Sequence, residues 1–473
     1  MEKTFIGPRL RQLRRDLGET QAEMARRLGI SSTYVNLLEA NQRSLSVKVL
    51  LALSETYNID WRELVSDDGA ARLPDLRAAV RDPLFAEEPP DLTELRAAID
   101  HAPTLVERFL TLHANHRRLS DRLSGLGAEL FTRPDQPGDL LAISPETAIH
   151  DFFRDRQNHF KELEARAQTL REKIGGAADD LYASLKRHLR VEYGLQATVV
   201  PLEEMPESLR LFDRKRQRVL LSDALDHPNR VFQLAHVVGL LGCSDEVERL
   251  ATESGIRAGE GRARLAVELT NYFAAAFLMP YSAFRARAES TRYDIDRLAA
   301  AFGVSFEQVC HRLTTLSRPG QRGVAFFFLR VDRAGNVTKR FNATPFDLAE
   351  KGGSCPVWDI HGAFRAPGVL HPKWVELAEG GRFLTVSRTT ERPVFNQHTQ
   401  DRRLVVVLGC AAEEVDRVVY GDAFGTAERD TPLPIGIACH RCPRQACDQR
   451  AHAPLHVRLS VDADKRGRTR YES

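Results

Sequence analysis

The chain has 473 residues, of which 42% are hydrophobic and 28% are charged, the ordinary balance of a globular protein with a buried core. This length allows about two to four domains. The formal net charge of +2 excludes a strongly basic or acidic field over the whole molecule, so a nucleic-acid site has to be a local basic patch.

The N-terminus, the apolar stretches and the cysteine count bear on the location and redox state of the protein. The start, MEKTFIGPRLRQ, lacks the apolar core of a signal peptide. The longest uncharged apolar stretch, Leu269 to Phe284, is too short to span a bilayer and contains Pro280. We therefore expect a cytoplasmic protein with no membrane partner. Seven Cys is an odd count, which argues against a disulfide framework there and favours metal ligation where Cys cluster.

Residues 5–66 show five short helical patterns, and residues 20–39 are typical of a helix, a tight turn and a second helix. Ala25 is small enough for two helices to approach closely, and Gly29 supplies the turn. Residues 1–50 also hold nine Lys or Arg against five Asp or Glu. The second helix presents short hydrogen-bonding side chains that suit base edges and phosphates. The residues expected to contact DNA are Gln21, Ser32, Thr33, Tyr34, Asn36, Asn41, Arg43 and Arg14.

This N-terminal pattern resembles the helix-turn-helix of the phage-repressor and XRE family. The resemblance implies a DNA-binding domain over residues 1–68, and the alternative is a small helical bundle that binds protein. Helix-turn-helix modules usually dock as pairs on twofold sites. We therefore expect a homodimer on a double-stranded promoter operator.

The segment after this domain is predicted to be a linker followed by long helices. Residues 67–92 are rich in Asp, Ala and Pro and indicate a linker. Helical periodicity follows over 93–122 and 145–190, interrupted by a loop at 133–138. Two interpretations of residues 69–190 stay open: helices that pack on their own domain, or a dimer interface. They apply above all to one apolar stripe, formed by Leu163, Ala167, Leu170 and Ile174.

The middle of the chain has the outline of a zinc peptidase without its chemistry. In an HExxH helix two His one turn apart bind zinc, and the Glu beside the first His acts as general base. Here His236 is followed by Val237 and, one turn on, Leu240, so one ligand and no base remain. A second helix then runs from Leu265 to Pro280. The two helices resemble the ImmA/IrrE-type peptidase domain, in which Glu268 matches the third-ligand position.

Two strand-like runs, 323–332 and 336–341, are joined by a turn signal and predict a β-hairpin. An XRE helix-turn-helix, a degenerate peptidase domain and a Cys-bearing C-terminal region, in this order, resemble the short-chain acyl-CoA-responsive regulators, the PrpR, RamB and PccR group. The resemblance implies an acyl-CoA effector such as propionyl-CoA. Tyrosine rings for an adenine and basic groups for its phosphates are then expected among Tyr272, Tyr281, Arg285, Tyr293, Arg312, Arg322, Arg330, Lys339 and Arg340. The alternative is that most of these arginines are solvated surface.

The C-terminal region carries a cysteine cluster, Cys439-His-Arg-Cys442 followed by Cys447. Cys355, in a glycine-containing segment, is the natural fourth ligand, and His440 is a possible substitute. Four thiolates suit structural zinc or an iron–sulfur cluster, and the acyl-CoA regulators resembled here include members with a [4Fe–4S] cluster. Reduced cysteines without metal are the alternative. The other three cysteines are expected to be core residues: Cys243, Cys310 and Cys410.

We therefore predict a mainly α protein with α+β parts. Its expected domains are a five-helix helix-turn-helix domain (1–68), a helical linker and dimerisation region (69–190), a degenerate zincin-like ligand-binding domain (191–320) and a Cys-rich α+β domain (321–473). The predicted function is acyl-CoA-sensing transcription regulation of short-chain fatty acid metabolism, without enzyme activity. The alternatives are an iron–sulfur redox sensor and a metallopeptidase that cleaves a repressor.

Overall fold

The computed structural model divides the chain into two compact units, the first formed by residues up to 128 with 319–322, and the second by the remainder. None of the helices among the described residues is long and apolar enough to cross a membrane. The residues that the structure describes are 7–40, 42–57, 68–80, 85, 90–130, 144–176, 180–257, 259–344, 346, 354–378, 380–391, 402–440, 442–444 and 447–454.

The first unit is helical throughout its described part. Its helices are α1 (Gly7–Asp16), α2 (Gln21–Leu28), α3 (Ser32–Glu39), α4 (Val47–Tyr57), α5 (Asp68–Ala79), α6 (Leu92–His101) and α7 (Pro103–Leu130). The first four enclose a small core that includes Met24, Val35, Leu38 and Leu53. The fifth helix expected before residue 66 lies outside the described residues.

The second unit combines a helical core with two sheets. Its helices are α8 (Pro145–Asp155), α9 (Lys161–Ile174), α10 (Leu181–Tyr193), α11 (His227–Gly242), α12 (Ser244–Glu253), α13 (Glu260–Leu278), α14 (Tyr281–Ser290), α15 (Ile295–Phe302), α16 (Phe306–Leu313) and α17 (Thr426–Asp430). Short 3-10 helices occur at Leu202–Glu204, Asp359–Phe364, Ala412–Arg417 and Val419–Ala423. The expected fold class, mainly α with α+β parts, is confirmed.

Helix α9 answers the question left open for its apolar stripe. Leu163, Ala167 and Leu170 are buried in the core of the second unit, and Ile174 packs against that core. Residues three and four apart share one face of a helix, so this apolar stripe is buried within its own unit. The helices α8 to α10 therefore belong structurally to the peptidase-like part rather than to a linker.

A small sheet precedes the helix that carries His236. It contains β1 (Gln196–Val200), β2 (Arg210–Asp213) and β3 (Arg218–Ser222), in the order β1-β3-β2. Strand β1 runs parallel to β3, and β2 runs antiparallel to it. This arrangement places Arg210 at the start of an edge strand, next to the helical layer.

The larger sheet divides the second unit into two cores. Its order is β5-β4-β8-β7-β6-β9, from β4 (Phe326–Val331), β5 (Val337–Asn342), β6 (His371–Glu376), β7 (Arg382–Thr390), β8 (Leu404–Ala411) and β9 (Leu433–Pro434). The predicted β-hairpin is present as β4 and β5, with Phe328 paired to Phe341. Successive side chains of a strand face opposite sides. Phe326 and Phe328 accordingly join the helical core, whereas Phe327 and Leu329 join the core around Cys355.

One buried ion pair joins the helices on either side of the peptidase-like core. The Arg312 guanidinium in α16 donates to both carboxylate oxygens of Glu164 in α9, at 2.6 and 3.0 Å. Tyr272 in α13 donates its hydroxyl to the same carboxylate at 2.6 Å, and Arg312 also donates to the Met279 carbonyl at 3.0 Å. Burial alone would raise the pKa of Glu164, but the adjacent Arg312 outweighs it and the pKa is lowered. The carboxylate therefore stays charged and fully partnered in the interior.

Removing one partner of this pair should strongly destabilise the second unit. We expect Glu164→Gln to lower the free energy of unfolding by about 3–5 kcal/mol, because the guanidinium of Arg312 would remain buried without its counter-charge. Urea denaturation followed by circular dichroism measures the loss. Glu172→Gln, a neutralisation at an exposed position of the same helix, should change stability by roughly 0.5 kcal/mol or less.

Two further results check the physical reason. The double variant Glu164→Leu/Arg312→Met should recover much of the lost stability, since it leaves no unpaired charge. The folded-state pKa of Glu164 is depressed, so its contribution is present above the unfolded pKa and is lost as pH falls through the folded pKa. Glu164→Gln should thus weaken the acid dependence of stability. A stability equal to that of the Glu172→Gln control would contradict the role given to the pair.

Candidate functional sites

Local capping interactions position helices α2 and α3 of the first unit. Thr20 caps α2 in a reciprocal capping box with Glu23, and Ser31 caps α3 by accepting from the Tyr34 N–H at 3.1 Å. Gly29 ends α2 with a φ of 65°, in the left-handed region that favours glycine. The chain therefore turns sharply between the two helices, as the sequence predicted.

The outer face of α3 carries the expected short polar groups. Ser32, Thr33 and Asn36 are exposed, as is Arg43 in the following loop, and Tyr34 is half-buried. Asn41 lies outside the described residues. Gln21 of α2 donates to the Asn36 amide oxygen at 3.4 Å, so the two helices meet at one edge of this polar face. The structure thus gathers six of the eight predicted DNA contacts around α3.

Arg14 has a structural role that the sequence analysis missed. Its guanidinium donates to both carboxylate oxygens of the buried Glu39 at 2.6 and 3.0 Å, and to the Glu19 carbonyl at 3.0 Å. Gln21 donates to Glu39 at 2.9 Å. Burial raises the pKa of Glu39, but the hydrogen bonds from Arg14 and Gln21 outweigh this and lower it. The guanidinium of Arg14 therefore ties α1 to α3, and its predicted phosphate contact stays a prediction.

Where the HExxH metal would be expected, a cationic side chain of the protein is present instead. The Arg210 guanidinium lies 2.5 Å from Nδ1 of His236; the histidine is buried and the arginine is half-buried. Burial, followed by the charge of Arg210, lowers the pKa of His236 to about 3. The imidazole is therefore neutral and can accept a hydrogen bond from the guanidinium. With Nδ1 accepting, the single proton of the neutral ring is on Nε2, so neither ring nitrogen offers a free lone pair to a metal.

Glu268, at the third-ligand position, is also committed to a basic residue. Its carboxylate accepts from Lys339 at 3.2 Å, and Lys339 is paired across the hairpin with Arg330. Arg330 donates in turn to Glu307 at 2.9 Å. A charge-balanced network thus links α13, α16 and the β4–β5 hairpin. Among the described residues no group of three or more His, Cys, Asp or Glu is arranged to hold a metal ion.

The three tyrosines expected to stack on an adenine are buried. Tyr272 is bonded to Glu164, as described above, and Tyr281 accepts from the Arg318 N–H at 2.9 Å. Tyr293 donates to Glu289 at 2.7 Å and accepts from the Val324 N–H at 2.8 Å. In this conformation all three rings pack in the interior, so their ligand contacts remain a prediction that requires rearrangement.

The predicted basic ligand contacts fall into different environments. Arg312 is wholly buried in its ion pair, and Arg330 and Lys339 belong to the hairpin network. Arg285, Arg322 and Arg340 are half-buried, and the Nε of Arg285 has no hydrogen-bond partner among the described residues. In the hairpin network the structure brings several of the predicted cations together.

The four predicted metal-binding cysteines surround one cavity on the far side of the large sheet. Cys355, Cys439, Cys442 and Cys447 all line it. They come from two segments more than 80 positions apart, brought together because Cys355 packs in the same core as Ile435. The remaining cysteines, Cys243, Cys310 and Cys410, are buried in the helical core, as expected.

Backbone groups around this cavity point at the sulfur atoms. The N–H of Gly436 donates to Sγ of Cys355 at 3.4 Å, and the N–H of Ala451 to Sγ of Cys439 at 3.5 Å. A Cβ at Gly436 would lie 2.8 Å from Sγ of Cys442, so a side chain there would close the cavity. The buried Arg450 donates to the carbonyls of Cys439 and Cys442 at 3.2 and 3.3 Å. The loop is therefore built around the four thiols.

Three family models match the chain in succession. They are a helix-turn-helix over residues 10–64, an IrrE N-terminal-like domain over 191–314, and the C-terminal domain of the short-chain fatty acyl coenzyme A regulators over 315–471.

Relatives match over nearly the whole length. A propionyl-CoA carboxylase regulator of Cereibacter sphaeroides is 37% identical, covering 100% of this chain and 99% of its own. The transcriptional regulators PrpR and RamB of Mycobacterium tuberculosis are each 33% identical, covering 100% and 98% of this chain and 96% and 97% of theirs. A solved Mycobacterium tuberculosis transcriptional regulator superposes with a TM-score of 0.66 at 34% identity, over 70% of this chain and all of its own.

The polar face of α3 generates one direct prediction. Asn36→Ala should weaken binding to a specific operator by roughly 1–3 kcal/mol, since it removes an exposed amide suited to a base edge. Fluorescence anisotropy with a labelled operator fragment measures the change. Thr56→Ala, at an exposed position of α4, is the control and should leave affinity unchanged. Equal affinity of the Asn36 variant and the control would remove α3 from base readout.

Proposed function

The chain belongs to the short-chain fatty acyl coenzyme A regulators, and we propose that it is a DNA-binding transcription regulator whose effector is a short-chain acyl-CoA such as propionyl-CoA. The observation that carries this proposal is the end-to-end similarity to a propionyl-CoA carboxylase regulator, with a helix-turn-helix preserved in this chain. The genes it controls are then those of short-chain fatty acid and acyl-CoA metabolism.

Peptidase activity is not part of the proposal. Hydrolysis at an HExxH centre needs a metal-bound water and a general base. Val237 supplies no base, and the nitrogen of His236 is engaged by Arg210. The guanidinium supplies a fixed positive charge where the peptidases bind zinc, which preserves the electrostatic balance of the fold while removing the Lewis acid.

The network around the hairpin is the region we favour for the anionic part of the effector. Arg330 and Lys339 lie side by side on β4 and β5, each shared with a carboxylate, Glu307 and Glu268. Phosphate oxygens can compete for such cations, because charge-assisted hydrogen bonds to phosphate are strong. Exchange of carboxylate for phosphate partners would loosen α13 and α16 from the hairpin, which gives the effector a route to a conformational change.

The cysteine cavity supports a bound cluster as a second component. A single zinc requires four sulfurs at roughly 2.3 Å from one point. The described thiols line a common cavity. A [4Fe–4S] cluster takes one thiolate at each of its four corners, so four thiols around a cavity suit it, and a zinc site is the alternative. Cys355, Cys439, Cys442 and Cys447 would hold it, and N–H groups at two sulfurs would tune its potential.

Effector binding should change DNA affinity. We expect propionyl-CoA to bind the full chain with one molecule per protomer and to shift operator affinity by roughly 5–150-fold, the usual range of allosteric coupling. Isothermal titration calorimetry and operator anisotropy with and without ligand measure the two effects. Free CoA and a long-chain acyl-CoA are the controls. If the protein binds no acyl-CoA and its operator affinity is unchanged by any of them, only the DNA-binding part of the proposal would stand.

The cluster is tested by a separate substitution. Cys442→Ser should abolish the visible iron–sulfur absorbance of protein purified without oxygen and lower its iron and sulfide content, because one corner ligand is lost. Cys410→Ala, at a buried cysteine of β8, should retain both. Full colour in the Cys442 variant would refute the ligand set, and stoichiometric zinc in wild-type protein would replace the cluster with a structural zinc site. Operator binding that responds to oxidation but not to acyl-CoA would favour a redox sensor.

A further inference from the structure

Helix α7 exposes a line of leucines that the first unit does not use. Leu105, Leu112 and Leu119 are 69%, 68% and 57% exposed. They recur every seven residues on a helix of 28 residues, so they lie along one side of it. Three exposed leucines aligned along one side of a helix differ from the scattered single apolar residues that are normal on a protein surface.

A different side of α7 packs on its own unit. Val106 is buried against Leu76, Leu95 and Ile99 of α5 and α6, and Phe109 packs at the margin of that cluster. The helix is therefore held in place by one side, while the leucine line faces solvent. Within the part of the chain that the structure describes, no other segment covers it.

The sequence of α7 carries a sustained heptad repeat in the same phase. Leucine occupies positions 105, 112, 119 and 126, and the alternating positions 109, 116, 123 and 130 hold Phe, His, Leu and Leu. Spacings of four and three residues that keep this phase are typical of a coiled coil. Seven of these eight positions are apolar, over a helix about 42 Å long at 1.5 Å per residue, and one of the seven, Phe109, already packs on the first unit.

We propose that α7 is the dimerisation helix, and that its leucine line packs against α7 of a second copy of this chain as a leucine zipper. An identical helix supplies the same heptad phase and length, which a twofold interface requires. His116 then occupies a core position of the seam, where one polar residue specifies register at a cost in stability. The helix lies in the same compact unit as the helix-turn-helix, so its pairing would bring two DNA-binding heads into one particle.

The width of the strip argues for a helix partner rather than a lipid surface. Exposed Arg108 and Asn115 lie at the positions that border this seam, and exposed His116 lies within it. The apolar stripe is thus narrow, as in a coiled coil, whereas a helix lying on a bilayer has a broad apolar face.

The test is the oligomeric state of the full chain. Wild-type protein should sediment as a dimer over the micromolar range, and Leu112→Glu/Leu119→Glu should weaken dimerisation by at least about 100-fold, because it places charges in the seam. Both residues are exposed in the single chain, so its fold and thermal unfolding should be preserved. Val191→Glu is the matched control, since Val191 is 74% exposed on a helix of the second unit. His116→Leu should tighten the dimer by removing the polar seam residue.

The zipper and the proposed function can fail separately. Only the effect of dimerisation on DNA binding rests on the proposed function. A wild-type monomer at all concentrations, an unaffected dimer in the double variant, or equal dissociation by Val191→Glu would overturn the zipper. Loss of dimer in the double variant, in a protein that binds no operator, would uphold the zipper and refute the function. When both hold, the double variant should bind a full twofold operator no more tightly than a half-site.

Discussion

The buried contact between Glu164 and Arg312 is the constraint on which the second unit depends. Helix α9 precedes the peptidase-like domain in sequence, and α16 closes it, 148 positions later. Each charge of a fully desolvated ion pair is strongly destabilising without the other, so the two ends of this region have to be assembled together. Tyr272, on the helix that would supply the third zinc ligand, is bonded into the same pair. The helices α8 to α16 consequently form one body, and a ligand that displaces α13 has to act against this pair.

At the zinc-ligand positions of the peptidase-like domain, side chains of the protein replace the metal as positively charged partners. Arg210 engages the nitrogen of His236, and Lys339 engages Glu268. Both replacements put a covalently attached positive charge next to a group that in the peptidases binds a divalent cation. The second replacement has a wider consequence, because Lys339 belongs to a hairpin of the C-terminal sheet. The remnant site is therefore connected directly to the region that carries the cysteine cavity.

The large sheet is the physical link between these two regions. Alternate residues of β4 face the helical core and the cysteine-bearing core, so a shift of that strand is felt on both sides. Because close-packed interiors transmit displacement, a change at the Glu268–Lys339 pair can reach the core around Cys355 through β4. The proposed effector and the proposed cluster would then both act on the second unit.

The sequence by itself determined the features whose cause is local. Two such features, the capped turn at Thr20 and Gly29 and the β4–β5 hairpin, depend on a few neighbouring residues and are present in the structure. Two others are read from the chain directly: the missing Glu after His236 and the spacing of Cys439 and Cys442. Only the tertiary structure decided which charged and aromatic side chains are interior. Arg312 and Tyr272 were expected at a ligand, since an arginine or tyrosine in a helix has the same local pattern whether it faces solvent or the core. Their burial depends on Glu164, more than 100 positions away, and Arg14 and Arg210 were reassigned by distant partners in the same way. Burial and pairing are properties of packing between elements, and no local spacing in the chain encodes them.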